Sequence, residues 1–205
     1  MTLFALALAS YLLGAIPTSY LTARLARGID LRTVGSGNLG ATNLYRQLGW
    51  RYAVPAGLFD VAKGAIPVVL FGPLAGSGVW IPLGFGIIAV LGHVYSVFVG
   101  FRGGKGVATG AGVVLGLAPW SFLVGLAVWA VVVRLTGYVS LGSILAAAAL
   151  PPATYLLHPE RREALWLLSA LAVLIIALHH ANIRRLLQGT ENRFGRRRAG
   201  EAPQP

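Results

Sequence analysis

The chain has 205 residues, of which 56% are hydrophobic and only 11% charged, with a net charge of +11. A soluble domain of this length carries about 25% charged residues, and the mean hydropathy of +0.72 is that of a membrane protein. The absence of cysteine excludes thiol nucleophiles, disulfides and thiolate metal sites. The six acidic residues, Asp30, Asp60, Glu160, Glu163, Glu191 and Glu201, are too scattered for two-metal chemistry.

Apolar stretches recur along the chain at or near the roughly 20 residues that a bilayer-spanning helix needs. The first covers about 3–25 and lacks both a basic leader and a small-residue cleavage site, so it is expected to be a retained helix. The second, about 52–74, holds Asp60 and Lys63 inside it. The third, about 79–99, ends at a glycine-rich turn, and the fourth, about 107–117, is short for a crossing. The fifth runs over about 119–135, the sixth over about 138–157 with the helix-bending pair Pro151 and Pro152, and the seventh over about 164–183.

Basic residues test this count. Arg24, Arg27, Arg32, Arg46 and Arg51 follow the first stretch, Arg102 and Lys105 the third, and Arg134 lies near the end of the fifth. Arg184, Arg185, Arg193, Arg196, Arg197 and Arg198 follow the seventh. The alternate connectors carry no basic residue except Arg161 and Arg162, which Glu160 and Glu163 balance. Seven helices with the N-terminus outside and the C-terminus cytoplasmic place every arginine-rich segment on one side. The expectation is therefore an all-α, polytopic membrane bundle forming one domain over 1–190, with a polar, disordered cytoplasmic tail over 191–205. The positive charge is assigned to orientation and anionic lipid headgroups, not to nucleic acid. Glycine pairs such as Gly106/Gly110 and Gly112/Gly116 have the spacing of close helix packing.

Three segments carry the polar chemistry. Residues 35–46, G-S-G-N-L-G-A-T-N-L-Y-R, set Ser36, Asn38, Thr42 and Asn43 among glycines and end on Arg46. Backbone N–H groups, hydroxyls, amides and a guanidinium fork together suit phosphate. Residues 92–109, G-H-V-Y-S-V-F-V-G-F-R-G-G-K-G-V-A-T, put Arg102 and Lys105 beside bare backbone just ahead of a helix N-terminus, which attracts anions. This is not a nucleotide-binding P-loop, because Lys105 is followed by Gly106 and Val99 stands where the first glycine is needed. Residues 179–191, H-H-A-N-I-R-R-L-L-Q-G-T-E, place His179 and Asn182 three apart on one helical face.

Asp60 and Lys63, also three apart, are intramembrane charges, read either as a structural ion pair locking helices or as part of the chemistry. Ser143 lies near the start of the sixth helix. The His-x4-Asp signature of many glycerolipid acyltransferases is absent. Phe98 follows His93 at that spacing, Arg184 follows His179, and Glu163 follows His158 on the opposite side of the membrane.

Read together, the three segments resemble the bacterial acyl-phosphate:glycerol-3-phosphate acyltransferase family. Its patterns S-G-N-x-G-A-T-N-x-x-R, G-H-x-x-S-x-F-x-x-F-x-G-G-K-G-V-A-T and H-x-x-N-I-x-R-L-x-x-G-x-E read onto residues 36–46, 92–109 and 179–191, and its D-x-x-K-G onto 60–64. His180 departs from the arginine common there, and the tail past Arg193 lies outside the resemblance. The resemblance implies transfer of a fatty acyl group from acyl phosphate to the sn-1 hydroxyl of glycerol 3-phosphate, at the cytoplasmic face of the bacterial inner membrane. Membrane lipids are the only further partners expected; no cofactor, metal or obligate protein partner is. Ser36, Arg46, Lys105, Ser143, His179 and Asn182 are expected to carry the chemistry. Asn38, Thr42, Asn43, His93, Ser96, Gly103, Gly104 and Thr109 are expected to bind substrate.

An acyl phosphate is already activated, so no covalent enzyme intermediate is demanded. The proton of the acceptor hydroxyl goes either to His179 or to a substrate phosphate oxygen, and the resemblance favours the second. A transporter of an organic phosphate is the alternative; its halves should show internal repeats, and none is found. A CDP-alcohol phosphotransferase is excluded by the missing aspartate-rich motif.

Overall fold

The computed structural model describes residues 2–76, 78–160 and 162–194. Every regular element among them is helical. α1 (Thr2–Ala15) and α2 (Thr18–Arg27) form a pair bent by 43°. Then come α3 (Ala41–Leu48) and α4 (Trp50–Ile66); α4 runs through a π-helical turn, Pro67–Phe71, into α5 (Gly72–Ala75). They are followed by α6 (Trp80–Val94), α7 (Val107–Leu117), α8 (Pro119–Thr136) and α9 (Val139–Leu157). α10 (Arg162–Leu178) and α11 (His180–Leu187) form a second pair, bent by 56°.

Four rods, Trp50–Ala75, Trp80–Val99, Pro119–Thr136 and Val139–Leu157, are long and apolar enough to cross a membrane, and counting each bent pair as one span brings the number to six. α7, at 11 residues, is about 16 Å long, well short of the roughly 30 Å hydrocarbon core.

Two of the expected continuous helices are broken, for local reasons. Pro17 has no N–H to give, so the ladder fails between α1 and α2, where Ile16 N–H reaches Leu13 O at 3.3 Å instead. The last helix breaks at His179, whose ring nitrogen Nδ1 meets Ile175 O at 2.7 Å. Pro151 and Pro152, by contrast, lie inside one helix that continues to Leu157. The packed chain also extends past the boundary expected at 190. Phe194 stacks on Tyr45 with ring centroids 4.5 Å apart, and its N–H reaches Gly137 O at 2.6 Å. The remainder of the expected tail, 195–205, lies outside the described residues.

The burial pattern is that of a protein dissolved in lipid. Trp120, Leu123, Leu126, Val131 and Leu135 on α8 are exposed, whereas Asn43, Asp60, Lys63, His93, Ser96, Thr109, Ser143, His179 and Asn182 are buried. Small residues let backbones touch. A Cβ on Gly14 would stand 2.0 Å from Ala89 O and one on Gly92 2.3 Å from Tyr11 O, so α1 and α6 pack at backbone distance. Gly64 and Gly112 do the same for α4 and α7, each with a Cβ position 1.9 Å from the facing carbonyl, of Thr109 and Val61 respectively. The glycines expected to pack, Gly106, Gly110, Gly112 and Gly116, all do so, and Gly106 in addition takes φ +74° and ends the Lys105 loop.

Candidate active site

Loop 28–40 is shaped by one side chain. The Asn43 amide donates to Leu31 O, Val34 O and Asn38 O at 3.2, 3.2 and 3.0 Å, and its Oδ1 accepts the Ser36 N–H at 3.2 Å. Asn38 Oδ1 accepts the Gly40 N–H at 2.9 Å, closing a side-chain turn. Gly35 and Gly37 take φ +60° and +68°, which lets the chain double back and leaves Ser36 exposed at the tip. The outer edge of the loop is pinned by Asp30, whose carboxyl is held down at about 2 by side-chain and backbone hydrogen bonds from Arg32. α3 then presents the half-buried Thr42 and Arg46. Burial lowers the Arg46 pKa, Glu191 opposes that shift and Arg185 adds to it, so these three groups sense one another's charge.

The Lys105 loop folds back on the end of α6. Gly103 N–H donates to Val94 O at 2.9 Å and Gly104 N–H to His93 O at 3.1 Å. A Cβ on Gly103 would lie 1.9 Å from His93 O, and one on Gly104 2.2 Å from His93 Nε2. These glycines are demanded by close packing, and their N–H groups are spent on α6. Between Gly103 and Gly106 Lys105 is the one residue with a side chain, and its ammonium donates to Asn182 Oδ1. Burial is the main cause that brings the Lys105 pKa down to about 8; Arg185 and Arg46 lower it further and Glu191 opposes them.

Asn182 passes the connection on. Its Nδ2 donates to Glu191 Oε1 at 2.7 Å, Ser140 Oγ donates to the same oxygen at 2.8 Å, and Arg185 Nε donates to Oε2 at 2.6 Å. Burial pushes the Glu191 carboxyl up, but hydrogen bonds from Asn182, Arg185 and Ser140 and the Arg185 charge more than offset it, so the carboxyl titrates below its usual range. Arg46 closes the ring with a long 3.4 Å contact to Asn192 O. A carbonyl only accepts, so the 2.7 Å contact with Ile175 O puts the His179 proton on Nδ1 and leaves Nε2 as an acceptor.

Of the residues expected to carry chemistry, Lys105 and Asn182 are bonded and Arg46 shares their electrostatic neighbourhood. Ser143 lies one turn beyond Ser140, with its Oγ donating back to Val139 O at 2.9 Å. Ser36 stays exposed on its loop. Several residues expected to bind substrate have internal partners. Asn43 shapes the loop, and Gly103 and Gly104 cap α6. Ser96 Oγ donates to Ala15 O at 2.5 Å, His93 faces Asp60 at 4.0 Å, and Thr109 is fully buried against Gly64. Glu191, Arg185 and Ser140 were not among the expected site residues. The first two are the fixed E and R of the third segment; Ser140 carries no signal of its own. Clefts of about 220 Å³ beside His158 and about 420 Å³ beside Val68 contain none of the expected residues. Among the described residues no three of His, Asp and Glu gather to hold a metal.

A cluster of Lys105, Asn182, Glu191 and Arg185 in an apolar, all-helical bundle has counterparts among known proteins. The family model for glycerol-3-phosphate acyltransferase matches residues 4–189. The glycerol-3-phosphate acyltransferase of Geobacter sulfurreducens is 48% identical over 90% of this chain and 94% of its own. That of Chlorobaculum parvum is 42% identical over 96% and 99%. The crystal structure of PlsY (YgiH), an integral membrane glycerol 3-phosphate acyltransferase, superposes in its glycerol 3-phosphate form with a TM-score of 0.89 at 40% identity, over 95% of this chain and 96% of that one. Its lysophosphatidic acid form gives 0.87 at 39%. With near-complete coverage in sequence and in fold, the chain belongs to the glycerol-3-phosphate acyltransferase family of PlsY type.

Proposed function

We propose that the chain transfers a fatty acyl group from acyl phosphate to the sn-1 hydroxyl of glycerol 3-phosphate, giving 1-acyl-glycerol 3-phosphate and phosphate. On this reading the short α7 is the seventh crossing, which puts the N-terminus outside and the C-terminus and site towards the cytoplasm of the bacterial inner membrane. The alternation of arginine-rich and arginine-free connectors supports that orientation. The glycerol 3-phosphate and lysophosphatidic acid forms of the similar PlsY structure supply acceptor and product by analogy.

The observation that supports the donor assignment is the gathering of Lys105, Arg46 and Arg185 near the Glu191 carboxylate. Ser96 and Ser143 donate to backbone carbonyls and Ser140 to Glu191. On this reading transfer is direct. The acceptor oxygen bonds to the acyl carbon, the carbon–oxygen bond to phosphate breaks, and phosphate leaves with the electron pair. Lys105 and Arg46 hold that growing charge, a contact that strengthens towards the transition state. A substrate phosphate oxygen takes the acceptor proton, and His179 Nε2 orients the acceptor. Ser36 and Thr42, on the loop and helix that Asn43 fixes, line the entry of the phosphates.

Direct transfer has a measurable signature. Purified protein in chelator should release phosphate and 1-acyl product one for one, and release none without glycerol 3-phosphate. Phosphate release without acceptor would mean an acyl-enzyme, and restoration of activity only by a divalent ion would mean a metal centre; either outcome overturns the mechanism.

A further inference from the structure

Among the described residues the most deeply buried charges lie outside the phosphate cluster. Asp60 and Lys63 on α4 are almost wholly buried and stand 2.7 Å apart. Replacing such a pair with apolar residues often costs no stability, so stability alone does not account for it. Its partners point to a different role.

Pro17 breaks the first span, and the backbone carbonyls at the break gather side-chain donors. Lys63 Nζ donates to Ile16 O at 2.8 Å, beside the Thr18 N–H at 3.0 Å, and Ser96 Oγ donates to Ala15 O. Thr18, the first residue of α2, donates to Asp60 Oδ1 at 3.1 Å. The pair thus sets the direction in which α2 leaves the break. Ala23 of α2 belongs to the same buried cluster as Leu31 and Leu39 of the Ser36 loop and Leu44 of α3, so α2 in turn carries the Arg46 arm. The same Asp60 oxygen that meets Lys63 and Thr18 lies 4.0 Å from His93 Nδ1, and the His93 ring is the floor beneath Gly104, the neighbour of Lys105.

We infer that Asp60 and Lys63, acting through His93, are positioning residues that set the spacing between the Arg46 arm and the Lys105 loop, without touching substrate. The inference rests on the reading in which Lys105 and Arg46 hold substrate phosphate.

Asp60→Asn, which keeps shape and an acceptor for Thr18, His93→Gln and the double variant Asp60→Asn/Lys63→Met test it. For each, thermal unfolding, calorimetric affinity for glycerol 3-phosphate and kcat are measured well below the unfolding midpoint. A misplacement of about 1 Å costs on the order of 10²-fold in rate, so kcat should fall by about that factor, and affinity by about tenfold, in fully folded protein. The double variant should recover stability, because no lone charge is left buried, and still turn over slowly. A purely structural lock makes the opposite forecast: the midpoint shifts while kcat and affinity stay at wild type, or the double variant recovers all three. Either result overturns the inference. Affinity needs no donor, so an error in the donor assignment leaves this comparison intact. Should the double variant not fold, the two shape-preserving single variants decide between the two forecasts.

Discussion

Lys105→Ala should lower kcat by a factor on the order of 10²–10³, the usual loss when a charge-stabilising donor is removed from a transition state. Lys105 carries the one side chain between Gly103 and Gly106, because Gly103 and Gly104 are packed without room for a side chain and Gly106 turns the chain at positive φ. Lys105→Arg should rescue poorly. A planar fork does not replace a compact ammonium between packed glycines, and the single Asn182 oxygen is placed for one donor. A pH profile adds an independent readout. Burial brings Lys105 down to about 8, and the protonated form is the active one, so kcat/KM should be full below that value and fall as pH rises through it. Lys105→Arg should lose this alkaline limb along with most of the rate. If Lys105 served only to orient the chain in the membrane, Lys105→Arg would keep wild-type turnover and the limb would belong to another group.

The second large effect is expected at Glu191. Glu191→Ala removes the acceptor of three side chains at once and leaves Arg46, Lys105 and Arg185 without their shared counter-charge. Breaking such a network should cost about 3 kcal/mol in stability, seen as a lower unfolding midpoint. It should also lower kcat by a factor on the order of 10², because Asn182 no longer fixes Lys105. Glu191→Gln should recover part of the stability, since one oxygen still accepts from Ser140 and Asn182, but its amide N–H groups face Arg185 donor to donor. The Glu191 carboxyl titrates below its unfolded value of 4.5, so its contribution is present above that pH and disappears as pH falls through the lower folded value. Wild-type stability and rate in Glu191→Ala would reduce the whole 191–194 segment to an incidental strap.

Long elements were the legible part of this fold. The rods α4 with α5, α6, α8 and α9 follow from apolar length alone, and the three polar segments point to the family that the comparisons return. The breaks were not legible. Pro17 sits in a run that reads as one apolar helix, and a break at His179 becomes visible only once its ring meets Ile175 O. Chemical type alone does not tell a ligand from a scaffold. Asn43 and Ser96 turn inward to donate to backbone carbonyls of a loop and a broken helix, and His93 turns inward towards Asp60. Glu191 was assigned to the tail on polarity; what anchors it, the stacking of Phe194 on Tyr45 and the reach of Ser140, joins residues far apart in the chain.

The donor is the point on which the account stands or falls. Purified protein in detergent or lipid, supplied with glycerol 3-phosphate and either a long-chain acyl phosphate or the matching acyl-CoA, should form 1-acyl-glycerol 3-phosphate from the acyl phosphate alone. Equal turnover of acyl-CoA would show that a held phosphate leaving group is not what the Lys105 cluster is built for.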